Sequence, residues 1–149
     1  MSDLAFRAAT RDDLPAIVAL LADDTLGAAR ESAGDPAYAA AFDAIEADPR
    51  NTLVVADRAG EVVGTMQLTY IPGLSHRGGE RLQIEAVRVR ADQRGLGLGR
   101  EMIGWAVEQA RARGCRLVQL TTDKRRTDAH RFYASLGFTA SHEGMKLAL

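Results

Sequence analysis

The sequence predicts a mixed α/β (α+β) fold in a single domain over residues 1–149, with about six to seven strands and about four helices in the order βαα-βββ-α-β-α-β. Three observations support this prediction. Several segments repeat apolar residues at helical spacing, shorter strand-like runs separate them, and glycine and proline mark the connections. With 149 residues, 46% of them hydrophobic, the chain has the size of one ordinary soluble domain.

The first third of the chain is predicted to be a short strand followed by two helices. The strand covers residues 4–9, and Asp12 or Asp13 is expected to cap a helix with apolar residues at helical spacing. Residues 23–36 hold two glycines and a proline, which predicts a loop or a broken helix. Residues 37–47 form the second helix, which ends at Asp48-Pro49.

The central segment is predicted to supply three strands. Residues 52–56 and 62–70 form a hairpin whose short connection contains Gly60. Residues 71–80 form a flexible loop with one proline and three glycines, and a strand follows over residues 82–89.

The C-terminal third is predicted to alternate helices and strands. A helix with one apolar stripe ends near Gly114, and residues 117–120 form a buried strand. Residues 128–136 form the last helix with Gly137 as its C-cap, and residues 138–149 return as a strand.

Composition excludes several classes of function. The formal net charge of −1 gives no basic field for nucleic acid, and no apolar run is long enough for a membrane span. The N-terminus does not resemble a signal peptide, and the one cysteine, Cys115, suits a reducing cytoplasm. The abundance of arginine and alanine suggests a bacterial genome. The apolar end of the chain, residues 145–149, predicts a homodimer.

The most informative segment is Val-Arg-Val-Arg-Ala-Asp-Gln-Arg-Gly-Leu-Gly-Leu-Gly, from Val87 to Gly99. One glycine would suit a plain turn that needs a positive φ. Three at alternate positions, between a strand and a helix, favour a site where backbone N–H groups hold a pyrophosphate. The segment lacks the lysine of a P-loop, and Arg100 occupies the third glycine position of a dinucleotide fingerprint.

Three elements together resemble the GNAT superfamily of acetyl-CoA-dependent N-acetyltransferases. Arg94-x-x-Gly97-x-Gly99 is similar to the motif Arg/Gln-x-x-Gly-x-Gly/Ala, and residues 82–89 look like the fourth strand of that family. Residues 128–138 look like its closing helix, A-x-x-x-Y-x-x-x-G-F. The resemblance spans about residues 50 to 149.

The resemblance implies an acetyl-CoA site without a metal. Backbone amides from Arg94 to Arg100 would hold the pyrophosphate, and the strand backbone would pair with the pantetheine arm between residues 82–89 and 117–120. The family often has an asparagine after the second of these strands, which Asp123, Thr127 or Asp128 must replace here. The candidate cofactor-binding residues are Val87, Arg88, Val89, Arg94, Gly95, Leu96, Gly97, Leu98, Gly99, Arg100 and Asp128.

Glu85 is the candidate general base. Acetyl transfer needs an unprotonated amine, and a carboxylate can bind the ammonium group and accept its proton. The simpler alternative is a strand-end carboxylate paired with Arg81 or Arg88. Some polyamine and amino-sugar acetyltransferases look similar, with a glutamate nine residues before the motif arginine, although Ala86 replaces the second acid of the amino-sugar enzymes.

Tyr133 is the candidate general acid. A tyrosine on an apolar helix face is more often a core residue, but the resemblance implies that this one protonates the leaving CoA thiolate. His130 is expected on the surface or behind the site. Cys115 is expected to be a buried structural thiol, and the basic residues 124–126 a solvated turn or a contact with the CoA 3′-phosphate.

The sequence therefore predicts acetyl transfer from acetyl-CoA to a primary amine of a small molecule, directly and through a ternary complex. The amine is expected on the face bounded by the first two helices and residues 71–80. Two alternatives remain, a protein or peptide N-acetyltransferase and a non-catalytic acyl-CoA sensor.

Overall fold

The structure is a computed structural model that describes residues 3–23 and 25–149, apart from the side chain of Thr25. The described residues form the predicted mixed α+β fold. Its strands are β1 (Leu4–Ala8), β2 (Asn51–Arg58), β3 (Glu61–Ile71), β4 (Arg81–Val89) and β5 (Leu117–Leu120). Its helices are α1 (Leu14–Ala22), α2 (Thr25–Arg30), α3 (Ala37–Ala47), the single turn α4 (Ser75–Gly78), α5 (Leu98–Arg113) and α6 (Thr127–Ser135).

The chain divides into two compact units, one ending at Gln119 and the other comprising Leu120–Leu149. The sheet has the strand order β1-β2-β3-β4-β5, and β1 to β4 pair antiparallel. The predicted hairpin between β2 and β3 is confirmed. Its two turn residues, Ala59 and Gly60, both have positive φ (55° and 89°), as the twist of a two-residue hairpin requires.

One face of the sheet packs against α5. Alternation along β3 places Gly64 and Met66 on this face, and a Cβ added to Gly64 would lie 2.8 Å from the sulfur of Met102. Glycine therefore permits the close approach of helix and sheet. The predicted apolar stripe of α5 is confirmed, and its buried members are Leu98, Met102, Ile103, Ala106 and Ala110.

The other face of the sheet is covered by α1 and α3. Buried side chains of both helices, among them Ile17, Val18 and Phe42, lie over it. The interrupted helix expected at residues 23–36 corresponds to α2, although residue 24 lies outside the described residues.

Asp13 is the N-cap residue of α1, one of the two predicted positions, but its side chain forms no capping hydrogen bond to that helix. The carboxylate of Asp13 instead points back along the chain, where it accepts a hydrogen bond from the backbone N–H of Thr10 at 2.7 Å. It also accepts bonds from both terminal nitrogens of Arg7 at 2.7 and 3.0 Å. Because Asp13 is 8% exposed, the arginine compensates the burial of its charge.

The predicted C-terminal strand over residues 138–149 is wrong, and the described residues contain five strands instead of six to seven. Residues 139–149 are exposed, and Ser141 N–H bonds the Thr139 carbonyl in a turn. An exposed segment interrupted by Gly144 buries too little apolar surface to offset the entropy of ordering a strand.

The strand at residues 117–120 is confirmed as β5, but the prediction that it is buried is wrong. Leu117 is 37% exposed, and the rest of the strand is half-buried. The strand is partly exposed because it lies at the edge of the sheet, next to β4.

Candidate active site

A β-bulge in β4 lies next to Glu85. Gln67 of β3 is opposite Glu85, but Thr65, two residues earlier on β3, is opposite Arg88, three residues later on β4. The extra residue bends β4, and Ala86 takes up the strain with a left-handed φ of 53°. Such a conformation costs about 1–2 kcal/mol for a residue with a Cβ. Bulges of this kind often redirect side chains beside active sites.

The carboxylate of Glu85 is exposed to solvent. Among the residues that the structure describes, it forms no ion pair, so the alternative of a pair with Arg81 or Arg88 is not what the structure shows. The Arg88 guanidinium instead donates a hydrogen bond from Nη1 to the Val87 carbonyl at 2.9 Å. Glu85 can therefore receive a cationic ligand without displacing a protein cation.

A row of polar side chains shares the face of Glu85. We call it the amide strip, and it consists of Asn51, Gln67, Thr69, Gln83 and Gln119. The Asn51 Oδ1 accepts bonds from Gln67 at 3.1 Å and from Thr69 at 2.6 Å, and the Gln119 amide donates to Gln83 at 2.6 Å. The strip was not predicted from the sequence. Its signal was the polar residue at every second position of β3 and β4.

An apolar cavity of ≈150 Å³ lies between this face of the sheet and helices α1 and α3. Its floor includes Thr65, Gln67 and Ala86, so the cavity adjoins the bulge. The Tyr38 hydroxyl donates to the Glu31 carboxylate and accepts from the Ser32 N–H, both at 3.0 Å. The cavity lies between the first two helices that the sequence predicted, on the side where the amine was expected.

The predicted glycine turn lies between β4 and α5. Gly95 and Gly97 have φ values of 79° and 86°, and Gly97 is the N-cap of α5. Gly99 is different, because it lies within the first turn of the helix. Only the first two glycines therefore meet the conformational requirement that the motif predicted, and between them Leu96 is exposed.

Arg94 anchors the glycine turn to its surroundings. Its Nε donates to the Val89 carbonyl at 3.1 Å, and Nη2 donates to the Asp23 carbonyl at 3.3 Å. Nη2 also lies 3.6 Å from the Asp23 carboxylate. The guanidinium joins the end of β4 to the end of α1, and its contribution of positive charge for a phosphate stays a prediction.

Tyr133 lies on α6, in the second unit. Its ring contacts Phe132 and Phe138 edge to face, with ring centroids 5.2 and 5.8 Å apart. After the helix, Gly137 has a φ of 96°, and the Phe138 N–H bonds the Tyr133 carbonyl at 3.1 Å. This Schellman arrangement confirms Gly137 as the residue that ends the helix, and it fixes the backbone around Tyr133.

Acidic residues before α6 and in its first turn are engaged with arginines. The Arg125 guanidinium and backbone N–H bond the Asp123 carboxylate and hold its pKa well below its usual range. Asp128 pairs with Arg131 on the same helix. The His130 side chain is exposed, as expected, with Nε2 2.9 Å from the Asp123 carbonyl.

Cys115 is half-buried, and its thiol lies 3.8 Å from the Glu80 carboxylate. Burial, together with that carboxylate, raises the thiol's pKa, which disfavours a nucleophilic thiolate. The described part of the chain holds no group of three or more metal-ligating side chains. Within the same residues, each helix is too short or too polar to cross a membrane.

Comparison with known proteins decides the family. The model of the Acetyltransferase (GNAT) family matches residues 14–138, a range that includes Glu85, the glycine turn and Tyr133. The chain belongs to the GNAT acetyltransferase family. The resemblance on which the sequence analysis relied is thereby confirmed, as is the prediction that the protein is an acetyltransferase.

Curated relatives of this GNAT acetyltransferase include two bacterial enzymes. The chain is 34% identical over 138 residues to the aminoalkylphosphonate N-acetyltransferase of Salmonella typhimurium, covering 91% of this chain and 85% of that enzyme. It is 32% identical to the L-methionine sulfoximine/L-methionine sulfone acetyltransferase of Pseudomonas paraeruginosa, covering 87% of this chain and 76% of that enzyme.

A solved structure from Bacillus halodurans C-125, described as a transcriptional regulator, is also similar to this acetyltransferase. It is 47% identical with a TM-score of 0.94, and the match covers 98% of this chain and 99% of that one.

Proposed function

We propose that this GNAT acetyltransferase moves an acetyl group from acetyl-CoA to the primary amine of a small molecule, by direct transfer in a ternary complex. The observation that carries the proposal is the arrangement along one strand. The thirteen residues from Glu85 to Gly97 contain a carboxylate without an ion pair among the described residues, a bulge at Ala86 and a left-handed turn at Gly95 and Gly97.

The glycine turn fits the pyrophosphate of CoA. A Cβ added to Gly95 or Gly97 would meet nothing within 4 Å, so the space beside the turn is open to a ligand. The first N–H groups of α5 lack helical partners, and the helix dipole adds partial positive charge there. Both features favour a bound anion.

The backbone of β4 can bind the pantetheine arm as an added strand would. The Val87 and Val89 carbonyls already accept one bond each, from Arg88 and Arg94. A carbonyl oxygen has two lone pairs, so each can accept a second bond from a pantetheine amide N–H.

Two residues are proposed to handle protons. Glu85 binds the ammonium form of the acceptor and takes its proton, directly or through water, so that the neutral nitrogen can attack the thioester carbonyl. As the carbon–sulfur bond breaks, the Tyr133 hydroxyl donates its proton to the sulfur of the departing CoA. We propose direct transfer without a covalent acyl-enzyme, and the raised pKa of the Cys115 thiol disfavours that thiol as a nucleophile.

A small acceptor is supported by the size of the cavity and by the relatives. A volume of ≈150 Å³ matches a group about the size of a benzene ring, which suits part of a small molecule. The named substrates of the two curated relatives are small amines that also carry a polar or anionic group.

The second candidate is a non-catalytic acyl-CoA sensor, which the description of the Bacillus halodurans protein favours. A sensor would keep the glycine turn but would not depend on Glu85 or Tyr133. A protein or peptide N-acetyltransferase is the third candidate.

The test is an acceptor screen with purified protein. CoA thiol release from acetyl-CoA is measured across small amines, amino sugars and peptides, and acetylated products are identified by mass spectrometry. We expect amine-dependent release with small acceptors. Release with peptides alone would favour protein acetylation, and acetyl-CoA binding without release for any acceptor would favour a sensor.

A further inference from the structure

A second cavity, of ≈270 Å³, lies away from the glycine turn and is lined by His76, Arg77, Arg116 and Leu117. We call it the basic cavity. Among the described residues, none of its three basic side chains forms an ion pair. Glu80 lies beside the cavity, since its carbonyl accepts the Arg116 N–H at 2.8 Å. Its carboxylate is already bound by Arg113, at 2.6 and 3.4 Å, and does not compensate these charges.

The backbone at the basic cavity is strained. His76 and Arg77 are consecutive residues with left-handed φ values of 53° and 59°, and Gly78 continues the turn with 72°. Left-handed residues with a Cβ rarely follow one another, and such strain concentrates where side chains are positioned for a ligand. The strain places two basic side chains at one cavity.

The amide strip connects the basic cavity to Glu85. Leu117 and Gln119 lie on the same face of β5 because they are two residues apart. The Gln119 amide bonds Gln83, which lies two residues before Glu85 on β4. Each step of two residues advances about 6.6 Å along a strand, so the two steps cover about 13 Å, and the crossing from β5 to β4 adds about 5 Å.

We propose that the basic cavity binds the anionic end of the acceptor, a phosphonate or phosphate monoester, while the amine of the same molecule lies at Glu85. Arg77 and Arg116 bind the anionic oxygens, and the amide strip contacts the middle of the acceptor. This inference rests on the proposed function and deepens it: the favoured substrate is an elongated amine with a distant anionic group, not a short one.

The test compares acceptors that differ in length and in charge. Aminooctylphosphonate carries the amine and the anion far apart, aminoethylphosphonate holds them close together, and aminooctanol lacks the anion. We expect kcat/KM for aminooctylphosphonate to exceed that for each of the other two about tenfold or more, the effect of charge-assisted hydrogen bonds.

Variants of the two cavity arginines test whether the preference for aminooctylphosphonate arises at the basic cavity. Arg77→Gln with Arg116→Gln is expected to reduce the preference for aminooctylphosphonate over aminooctanol to near one, and to leave kcat/KM for aminooctanol unchanged. Arg111→Gln is the matched control, because this arginine is exposed on α5 and, within the described part of the chain, its ion pair is with Glu108. An unchanged preference in the double variant would overturn the proposal, as would the same loss in the control.

Binding separates this inference from the proposed function. Calorimetric titration with aminooctylphosphonate does not require turnover, and thermal denaturation shows whether each variant is folded. Tight binding that the double variant loses supports the anion site even if no amine is acetylated. Equal binding by wild type and a folded double variant overturns the site even if acetyl transfer is observed. If the double variant does not fold, the single variants Arg77→Gln and Arg116→Gln take its place in both measurements.

Discussion

Among single residues, Glu85 stands out because its negative charge is not neutralised by an ion pair within the described residues. It lies on a strand of a chain rich in arginine, yet within the described residues its carboxylate has no cationic partner. The bulge at Ala86 separates it from Arg88, which bonds the backbone instead. An exposed carboxylate without an ion pair among the described residues contributes little to stability, and we propose that it binds a cationic acceptor.

Replacing Glu85 with glutamine removes the proposed base and keeps the shape of the side chain. We expect Glu85→Gln to lower kcat at neutral pH and much of the loss to return at high pH, where the amine loses its proton unaided. The pH–rate profile should lose its acidic limb. The control is Glu108→Gln, on the exposed face of α5. Wild-type rates at every pH would mean that Glu85 is not the base.

Tyr133 is tested by the loss of its hydroxyl alone. Tyr133→Phe keeps the edge-to-face contacts with Phe132 and Phe138 and removes the proposed acid. We expect kcat to fall roughly 10²-fold with little change in acetyl-CoA affinity, and the basic limb of the pH profile to disappear. Tyr70→Phe, whose ring lies under Arg113, is the control. Equal kcat in wild type and Tyr133→Phe would exclude this role.

Gly97 is tested by adding a side chain at a left-handed position. The structure shows no atom within 4 Å of the added Cβ, so Gly97→Val meets strain from its φ of 86° and a clash with the ligand, not with the protein. We expect a folded variant with weakened CoA binding in calorimetry. Gly104→Val adds the same atoms to open space on α5 and should bind CoA normally. If Gly97→Val binds CoA with unchanged affinity, the motif forms a turn but does not bind the pyrophosphate.

At the scale of elements, a charge network joins β1 to the start of α1. Arg7 bonds Asp13 and, at 3.1 Å, Asp57 on β2. The guanidinium lowers the pKa of the Asp13 carboxyl below its usual value, chiefly through the hydrogen bond. Because the folded protein binds that proton less readily than the unfolded chain, the network stabilises the fold at neutral pH and does so less in acid.

We expect Asp13→Asn to lower the free energy of unfolding by about 1–3 kcal/mol at neutral pH, since Arg7 loses its buried partner. The difference from wild type should persist above about pH 4 and shrink as the pH falls through the lowered pKa of Asp13. Urea denaturation at several pH values measures both effects. Asp12→Asn is the control, because Asp12 is the neighbour of Asp13 in sequence and is exposed to solvent. A difference that does not change with pH would contradict this assignment.

The β4–α5 connection is the element with the most consequences for function. A bulge, a glycine turn and a helix N-terminus follow one another, and Arg94 joins them to Asp23 at the end of α1. The turn is therefore held by side-chain bonds as well as by its glycines. This arrangement positions the backbone N–H groups of α5 before any ligand binds.

At the scale of the whole molecule, the exposed apolar end of the chain predicts self-association. Met145 is 93% and Leu147 87% exposed, which leaves large apolar side chains in water. We expect a homodimer in light scattering, and a shift toward the monomer in Leu147→Asp. A single mass near 16.1 kDa at micromolar concentration would contradict this prediction.

Local sequence patterns were enough to predict the class of fold, most element boundaries and the glycine turn. Residues 37–47 and 117–120 were predicted with the bounds that the structure has, because periodicity and glycine or proline signals are local properties of the chain. The same holds for Gly97 and Gly137, whose left-handed conformations few other residues adopt readily.

The contacts between side chains, in contrast, became visible in the folded protein alone. The register between strands determines the surroundings of Glu85, the bulge at Ala86 and the composition of the amide strip. The basic cavity brings together residues that are about forty positions apart in the sequence. The predicted strand at residues 138–149 failed for the same reason. A strand exists only where a neighbouring strand and buried surface offset its entropy, and sequence pattern alone does not specify either.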